Sequence, residues 1–139
     1  MAQRRNDAIP TGIAGLAGVR AGRQDCYERI VFDFKDEARP AYDIGVASPP
    51  FSGSSDVPVP VTGTAFIKVR FDSIQARNPE FATYTGPSVI NPGLAAIREL
   101  RLIEDFEAVV IWVIGLDRER SFRVGTLSNP TRIYVDVAA

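Results

Sequence analysis

The sequence predicts an all-β protein, an antiparallel β-sandwich with at most one or two short helices. Three observations support this fold class: four separate segments alternate apolar and polar side chains, turn-forming residues separate them, and one further segment is apolar on both faces. Alternation with a period of two is typical of a strand with one buried face. Strands joined by loops, without recurring helical crossovers, indicate a sandwich or barrel rather than a parallel α/β sheet.

The four alternating segments each place apolar side chains on a single face. The residues predicted to face the core are Ile30, Phe32 and Phe34, then Tyr42, Ile44 and Val46, then Ala65, Ile67, Val69 and Phe71, and finally Ile133, Val135 and Val137. The residues between them, among them Arg29, Asp33, Tyr134 and Asp136, then point outward.

The segment Val109–Leu116 is apolar on both faces and rich in β-branched residues. A strand covered on both sides has this composition. We expect Trp112 to anchor the core; stacking on a ligand is the alternative role for its ring.

Two segments are irregular. Residues 48–60 are rich in proline, serine and glycine, which predicts a long surface loop. Residues 92–106 carry two signals: Asn91 and Pro92 resemble a helix start, whereas Leu100 and Leu102 alternate with polar neighbours. A helical turn running into a strand satisfies both signals.

The length of 139 residues fits one domain. We predict a flexible N-terminal arm over residues 1–12, which are mostly polar, and a β-sandwich domain over residues 13–139.

Composition excludes several classes of function. A net charge of −1 argues against non-specific nucleic-acid binding, which requires a cationic surface. The absence of histidine excludes Ser-His-Asp and Cys-His catalysis and the usual zinc and iron sites. It does not exclude a calcium or magnesium site made of carboxylates alone, but no Asp-x-Asp-x-Asp loop appears, and we expect no cofactor or metal. No segment approaches the roughly 18–20 apolar residues that span a bilayer.

The densest polar cluster is residues 117–123 (Asp-Arg-Glu-Arg-Ser-Phe-Arg), between two predicted strands. There, Arg118, Arg120 and Arg123 would present guanidinium groups to the carboxylates of a ligand or of a partner protein. The alternative is a solvated hairpin in which Asp117 and Glu119 pair with neighbouring arginines.

Outward-facing residues of the strands form a second candidate. Arg29 pairs with an aspartate across strands, or it belongs to a binding face. Tyr134 points outward and suits stacking on a sugar ring. The predicted ligand-binding residues are therefore Arg29, Asp117, Arg118, Arg120, Arg123 and Tyr134.

A further hypothesis, besides a binding role, is acid–base catalysis by a pair of carboxylates. Its candidates are Asp33, Asp43, Glu104 and Asp105, but no motif places two of them at the separation that hydrolysis of a glycan requires. We therefore expect a domain that is not an enzyme.

Several segments are similar to one known family. They are residues 19–23 (Val-Arg-Ala-Gly-Arg), 27–34 (Tyr-Glu-Arg-Ile-Val-Phe-Asp-Phe), 84–87 (Tyr-Thr-Gly-Pro), 106–117 (Phe-Glu-Ala-Val-Val-Ile-Trp-Val-Ile-Gly-Leu-Asp), 122–130 (Phe-Arg-Val-Gly-Thr-Leu-Ser-Asn-Pro) and 132–137 (Arg-Ile-Tyr-Val-Asp-Val). Their order and spacing, over roughly residues 16–137, resemble the AMIN-like domain of secreted actinobacterial proteins.

The resemblance implies a compact β-sandwich exported across the inner membrane, secreted or attached to the envelope as a lipoprotein. The family is named for its likeness to the AMIN domain of cell-wall amidases, which localises those enzymes and is thought to bind peptidoglycan or envelope partners. It implies no catalytic residues. The alternative is a protein–protein interaction domain without affinity for glycan.

Two features depart from an exported lipoprotein. The residues that follow Met1 lack the apolar core of a secretory signal. If the protein is exported, we expect its signal to have been removed, with Met1 added for expression. Cys26 follows Gln24 and Asp25 rather than the small residues that precede a lipid-modified cysteine.

Overall fold

The computed structural model describes residues 4–5, 14–35, 39–72, 74–75, 84–106 and 108–139. These residues form an all-β structure of two sheets that do not close into a barrel, which confirms the predicted β-sandwich. The described residues contain no helix, and so none that is long and apolar enough to cross a membrane.

The strands, in chain order, are β1 (Arg4–Arg5), β2 (Ala14–Arg23), β3 (Tyr27–Lys35), β4 (Ala41–Ala47), β5 (Ala65–Asp72), β6 (Ile74–Gln75), β7 (Val89–Ile90), β8 (Ile97–Phe106), β9 (Val109–Leu116), β10 (Phe122–Leu127) and β11 (Arg132–Ala138). The six-stranded sheet has the order β1-β4-β5-β9-β8-β7, and the five-stranded sheet has the order β10-β11-β3-β2-β6. Neighbouring strands are antiparallel apart from a short parallel pairing of β2 with β6. The four alternating segments of the sequence correspond to β3, β4, β5 and β11.

The main core lies between the two sheets. Phe32 of β3 packs edge-to-face on Phe71 of β5, with ring centroids 5.1 Å apart. Trp112 of β9 is fully buried, and its ring lies 6.3 Å from Phe32 and 5.7 Å from Tyr84. No described residue accepts a hydrogen bond from its indole N–H. Trp112 is therefore held by packing, as the sequence predicts.

Strand β9 is covered on both faces, which confirms the prediction from its composition. Its inward side chains join the main core, whereas Val113 on the outer face packs with Phe51 and Phe66 in a second, smaller cluster. Phe51 belongs to the loop of residues 48–64, which folds back over the outer face of the six-stranded sheet. Residues of this loop therefore cover the outer face of β9.

The predicted helical turn after Asn91 is wrong. Residues 91–96 form no regular element, and β8 begins at Ile97. Gly93 has a φ of +71°, outside the helical region. The N–H groups of Ala96 and Ile97 donate to the carboxylate of Glu28 on β3, at 3.1 and 2.8 Å, instead of closing a helical turn.

Glu28 joins the two sheets at this end of the sandwich. Its side chain is fully buried on the inward face of β3, beside Ile30 and the rest of the core. A buried carboxylate is tolerated where hydrogen bonds replace its hydration. Here the backbone N–H groups of Ala96, just before β8, and of Ile97, its first residue, supply them. Strand pairing forms hydrogen bonds only within each sheet. The contact of Glu28 with Ala96 and Ile97 therefore adds hydrogen bonds between the two sheets.

Part of the predicted N-terminal arm is paired. Arg4 lies opposite Ile44 and Arg5 opposite Asp43, so that β1 adds a short antiparallel segment to the edge of β4. The other residues of the predicted arm lie outside the described residues.

We predict that Trp112→Ala destabilises the domain by about 3–5 kcal/mol, because it leaves a large cavity between the sheets. The measurement is urea unfolding followed by circular dichroism. Arg118→Ala, a truncation of an exposed side chain, is the control and should keep the parental midpoint. A parental midpoint for Trp112→Ala would contradict the core assignment.

We also predict that Glu28→Ala lowers the free energy of unfolding by about 1–3 kcal/mol for each buried N–H that loses its acceptor. Hydrogen exchange should accelerate at the amides of Ala96 and Ile97. Glu28→Gln keeps one carbonyl acceptor and should fall between the parent and the alanine variant. Unchanged exchange at both amides would show that the carboxylate does not hold this end of the sandwich.

Candidate functional site

The structure brings three of the predicted binding residues together on the outer face of the five-stranded sheet. Arg29 lies on β3, Tyr134 on β11 and Arg123 on β10. Asp117, Arg118 and Arg120 lie instead in the connection between β9 and β10. The predicted residues therefore fall into two groups with different surroundings.

Strand register builds the first group. Asp136 of β11 lies directly opposite Arg29 of β3 on one side and Arg123 of β10 on the other. Alternation along β3 sends Tyr27 and Arg29 outward while Glu28 points into the core. The result is a row of arginine, aspartate and arginine across three adjacent strands.

Asp136 is the acidic centre of this row, and its side chain is only 3% exposed. Arg29 donates to both of its carboxylate oxygens, from Nε at 2.7 Å and from Nη2 at 3.0 Å. Arg123 donates from Nε to Oδ2 at 3.3 Å. The hydrogen bonds from Arg29 to Asp136 raise the pKa of that guanidinium above its ordinary value, although burial opposes the shift. Two cations share one anion, so the row carries one excess positive charge.

Two tyrosines flank the arginines. The guanidinium carbon of Arg29 lies 4.1 Å from the ring centroid of Tyr134 and 5.5 Å from that of Tyr27, and the guanidinium carbon of Arg123 lies 5.7 Å from the Tyr27 centroid. These are cation–π distances. The Tyr134 ring itself lies across Gly125, where a Cβ would overlap the ring. We call Tyr27, Arg29, Arg123, Tyr134 and Asp136 the arginine–tyrosine cluster.

The two arginines of the cluster differ in access to solvent. The Arg29 side chain is 27% exposed and that of Arg123 is 68% exposed. Within the described part of the chain, Asp136 is the only hydrogen-bond acceptor of Arg123, and only its Nε is used. A cavity of about 240 Å³ opens beside it, lined in part by Cys26, Tyr27 and Ser121. Arg123 itself lines this cavity, and its Nη groups make no hydrogen bond within the described part of the chain.

The surrounding face adds positive charge. Arg20 and Asp33 form an ion pair at 2.9 Å and neutralise each other. Lys35 and Arg132 occupy outward positions on β3 and β11 with no carboxylate partner among the described residues. Among the described residues, this face therefore carries more basic than acidic side chains, although the whole chain has a net charge of −1.

The second group is largely committed to the fold. Arg120 donates to both carboxylate oxygens of Asp117, at 2.8 and 2.9 Å, and to the backbone oxygen of Ala138 at 3.0 Å. Asp117 thus pairs with a neighbouring arginine, but β9 and β10 lie in different sheets, so their connection is not a hairpin. The hydrogen bond to Ala138 ties this connection to the end of β11. Arg118 is exposed, and its side chain makes no hydrogen bond in the described part of the chain.

The pairing with Arg120 changes the titration of Asp117. The hydrogen bonds from Arg120 lower the pKa of Asp117 from 3.8 to about 2, against the opposing effect of burial. The same contact raises the pKa of Arg120.

Sequence reasoning missed Tyr27 and Gly125 as parts of the cluster and Glu28 as a buried carboxylate. Tyr27 and Glu28 continue the alternation of β3 by one step, so the signal was present. The role of Gly125 depends on the ring of Tyr134 on the neighbouring strand and has no local signal.

The buried carboxylates occupy separate environments. Glu28 bonds backbone amides at one end of the sandwich, Asp136 lies under two arginines, and Glu99 accepts hydrogen bonds from Thr62 and Arg101. Among the described residues, no three carboxylate or thiol groups lie close enough together to hold a metal ion.

A pH-dependent stability follows from the Asp117–Arg120 pair. The pKa of Asp117 is lower in the folded state, so the pair stabilises the fold above about pH 4, and this contribution is lost as the pH falls towards 2. We predict that Asp117→Asn is less stable than the parent at pH 6, and that the difference shrinks between pH 4 and pH 2. Urea midpoints measured across this range test it; a difference that stays constant would mean that the pair contributes no pH-dependent stability.

Comparison with known proteins gives a family assignment. The family model described as the AMIN-like domain matches residues 14–139. No curated protein matches the sequence. AMIN-like domains are generally non-catalytic binding domains, and they typically occur in extracytoplasmic proteins. Because the match covers nearly the whole chain, this protein belongs to the AMIN-like domain family.

Proposed function

We propose that this domain binds peptidoglycan outside the cytoplasm, secreted or lipid-anchored, through the outer face of its five-stranded sheet. Family membership supports a non-catalytic binding role. The observation that carries the proposal is the arginine–tyrosine cluster, in which Arg123 is anchored by one nitrogen and leaves the other two exposed.

The chemistry of the cluster suits a carboxylate ligand. Asp136 fixes the Nε of Arg123, so the guanidinium plane is oriented before a ligand arrives. The free Nη groups can then donate two parallel hydrogen bonds to a carboxylate, the geometry that arginine favours. Stem peptides of peptidoglycan carry such carboxylates.

The tyrosines suit the glycan part of the same polymer. Tyr27 and Tyr134 flank the arginines on a solvent-facing sheet, and aromatic rings pack against the apolar C–H faces of sugars. A wall polymer repeats both groups along its length.

Arg123 is the residue whose replacement separates binding from folding. Removing Arg29 would leave Asp136 buried with little compensation, whereas Arg123→Ala leaves the closer Arg29 pair in place. We predict that Arg123→Ala weakens binding to insoluble sacculi by about three- to tenfold, the range for a partly exposed charged hydrogen bond. Co-sedimentation at low and physiological salt measures the bound fraction.

Two variants serve as controls. Arg118→Ala removes an exposed arginine outside the cluster and should bind like the parent. Arg123→Lys keeps the charge but loses the planar fork, and should fall between the parent and the alanine variant. If the parent itself stays in the supernatant at both salt concentrations, the peptidoglycan proposal fails, and an envelope protein with an acidic surface becomes the leading partner for this face.

A further inference from the structure

The loop of residues 48–64 is long and irregular, yet it is fastened to the six-stranded sheet at several points. Phe51 is buried in the outer apolar cluster. The hydroxyl of Ser54 donates to Glu104 at 3.2 Å, and the hydroxyl of Thr62 donates to Glu99 at 3.1 Å. Both acceptors lie on β8. The loop is therefore attached to the sheet both near its tip and near its end.

The end of the loop packs directly on β9. The N–H of Thr64 donates to the backbone oxygen of Leu116 at 2.8 Å. A Cβ at Gly115 would overlap the carbonyl of Thr62, and Gly63 adopts a φ of +148° against the backbone of Leu116. Only glycine permits this close approach of loop and strand. These contacts fix the path of the chain on this side.

Between these attachments the loop lines an open cavity of about 600 Å³. Its apolar wall includes Val46 at the end of β4 and Phe66 at the start of β5, together with Pro58 and Pro60 from the loop. The volume lies within the usual range of about 300–1,000 Å³ for small-ligand sites. Prolines have a fixed φ, so this wall loses little backbone freedom when a ligand binds.

The lining also contains polar residues, Ser48 and Thr64, and one carboxylate. Among the described residues that line the cavity, Glu119 is the only charged one. It is exposed and makes no hydrogen bond or ion pair within the described part of the chain, in contrast to Asp117 two residues earlier. Val46 is 53% exposed at the same cavity. An apolar wall with one unpaired carboxylate complements an aliphatic cation.

We infer that the β4–β5 loop cavity is a second binding site that takes a lysine-type side chain of a peptide. The aliphatic stem lies along Val46 and the proline rings, and the ammonium group pairs with Glu119. Side chains of this kind bury their methylene groups while the charged end stays near water. The inference is independent of the arginine–tyrosine cluster, because that cluster attracts anions and this cavity attracts cations.

The test uses two soluble probes that differ only in the ammonium group. Nα-acetyl-lysine methylamide and Nα-acetyl-norleucine methylamide are titrated into the 15N-labelled domain, and amide shifts are followed by NMR. We expect the lysine probe to shift the amides of Val46, Val59 and Val61, which line the cavity. The norleucine probe should bind about two- to fivefold more weakly, as expected for loss of an exposed ion pair.

Three variants test whether the lysine probe binds in this cavity. Glu119→Gln should weaken the lysine probe by about two- to fivefold and leave the norleucine probe unchanged. Asp56→Asn removes an exposed carboxylate of the same loop that does not line the cavity, and should bind like the parent. Arg123→Ala should also bind like the parent, even if it no longer binds sacculi.

Three results would overturn the inference. They are equal affinity for the two probes, an unchanged affinity of Glu119→Gln for the lysine probe, and shifts confined to amides outside the cavity at millimolar probe concentration. Because the probes carry no carboxylate, each result is independent of whether the domain binds peptidoglycan through Arg123.

Discussion

The register of β3 against β11 is the constraint on which both the core and the candidate site depend. It places Ile30 and Phe32 towards the other sheet and sets Arg29 opposite Asp136 on the outer face. A slip of one residue would exchange the two faces, burying guanidinium groups and exposing the aromatic core. The large cost of that exchange fixes the register, so that the hydrophobic core positions the polar cluster on its opposite side.

The same alternation explains how much could be predicted from the sequence. Strands β3, β4, β5 and β11 were predicted from their alternation, as was the double cover of β9, but Val46 of β4, predicted to face the core, is 53% exposed. Strand β10 lies at the sheet edge in the described residues, and only Phe122 and Val124 join its core face, so its pattern is weak. The start of β8 at Ile97 depends on a hydrogen bond to Glu28, which lies 69 residues earlier. Local propensity contains no information about such a partner.

The candidate site, too, could be predicted from the sequence only in part. The outward direction of Arg29 and Tyr134 follows from strand periodicity and could be predicted. The difference between Arg120, which is bound on two sides, and Arg123, which is bound on one, depends on which carboxylates and carbonyl groups the fold brings near. From residue type alone, Arg120 and Arg123 are equivalent. The hydrogen bonds of the folded structure distinguish Arg120, which stabilises the fold, from Arg123, which has unused donors within the described part of the chain.

Gly125 and Tyr134 have a consequence for how this surface can change during evolution. The aromatic ring fills the space that a side chain at position 125 would need, so the two positions are sterically coupled across β10 and β11. An alanine at 125 requires the ring to move, and its displacement would disturb the stacking on Arg29. Related sequences that lose the glycine should therefore also lose the tyrosine, and such pairs would identify members of the family in which this face is built differently.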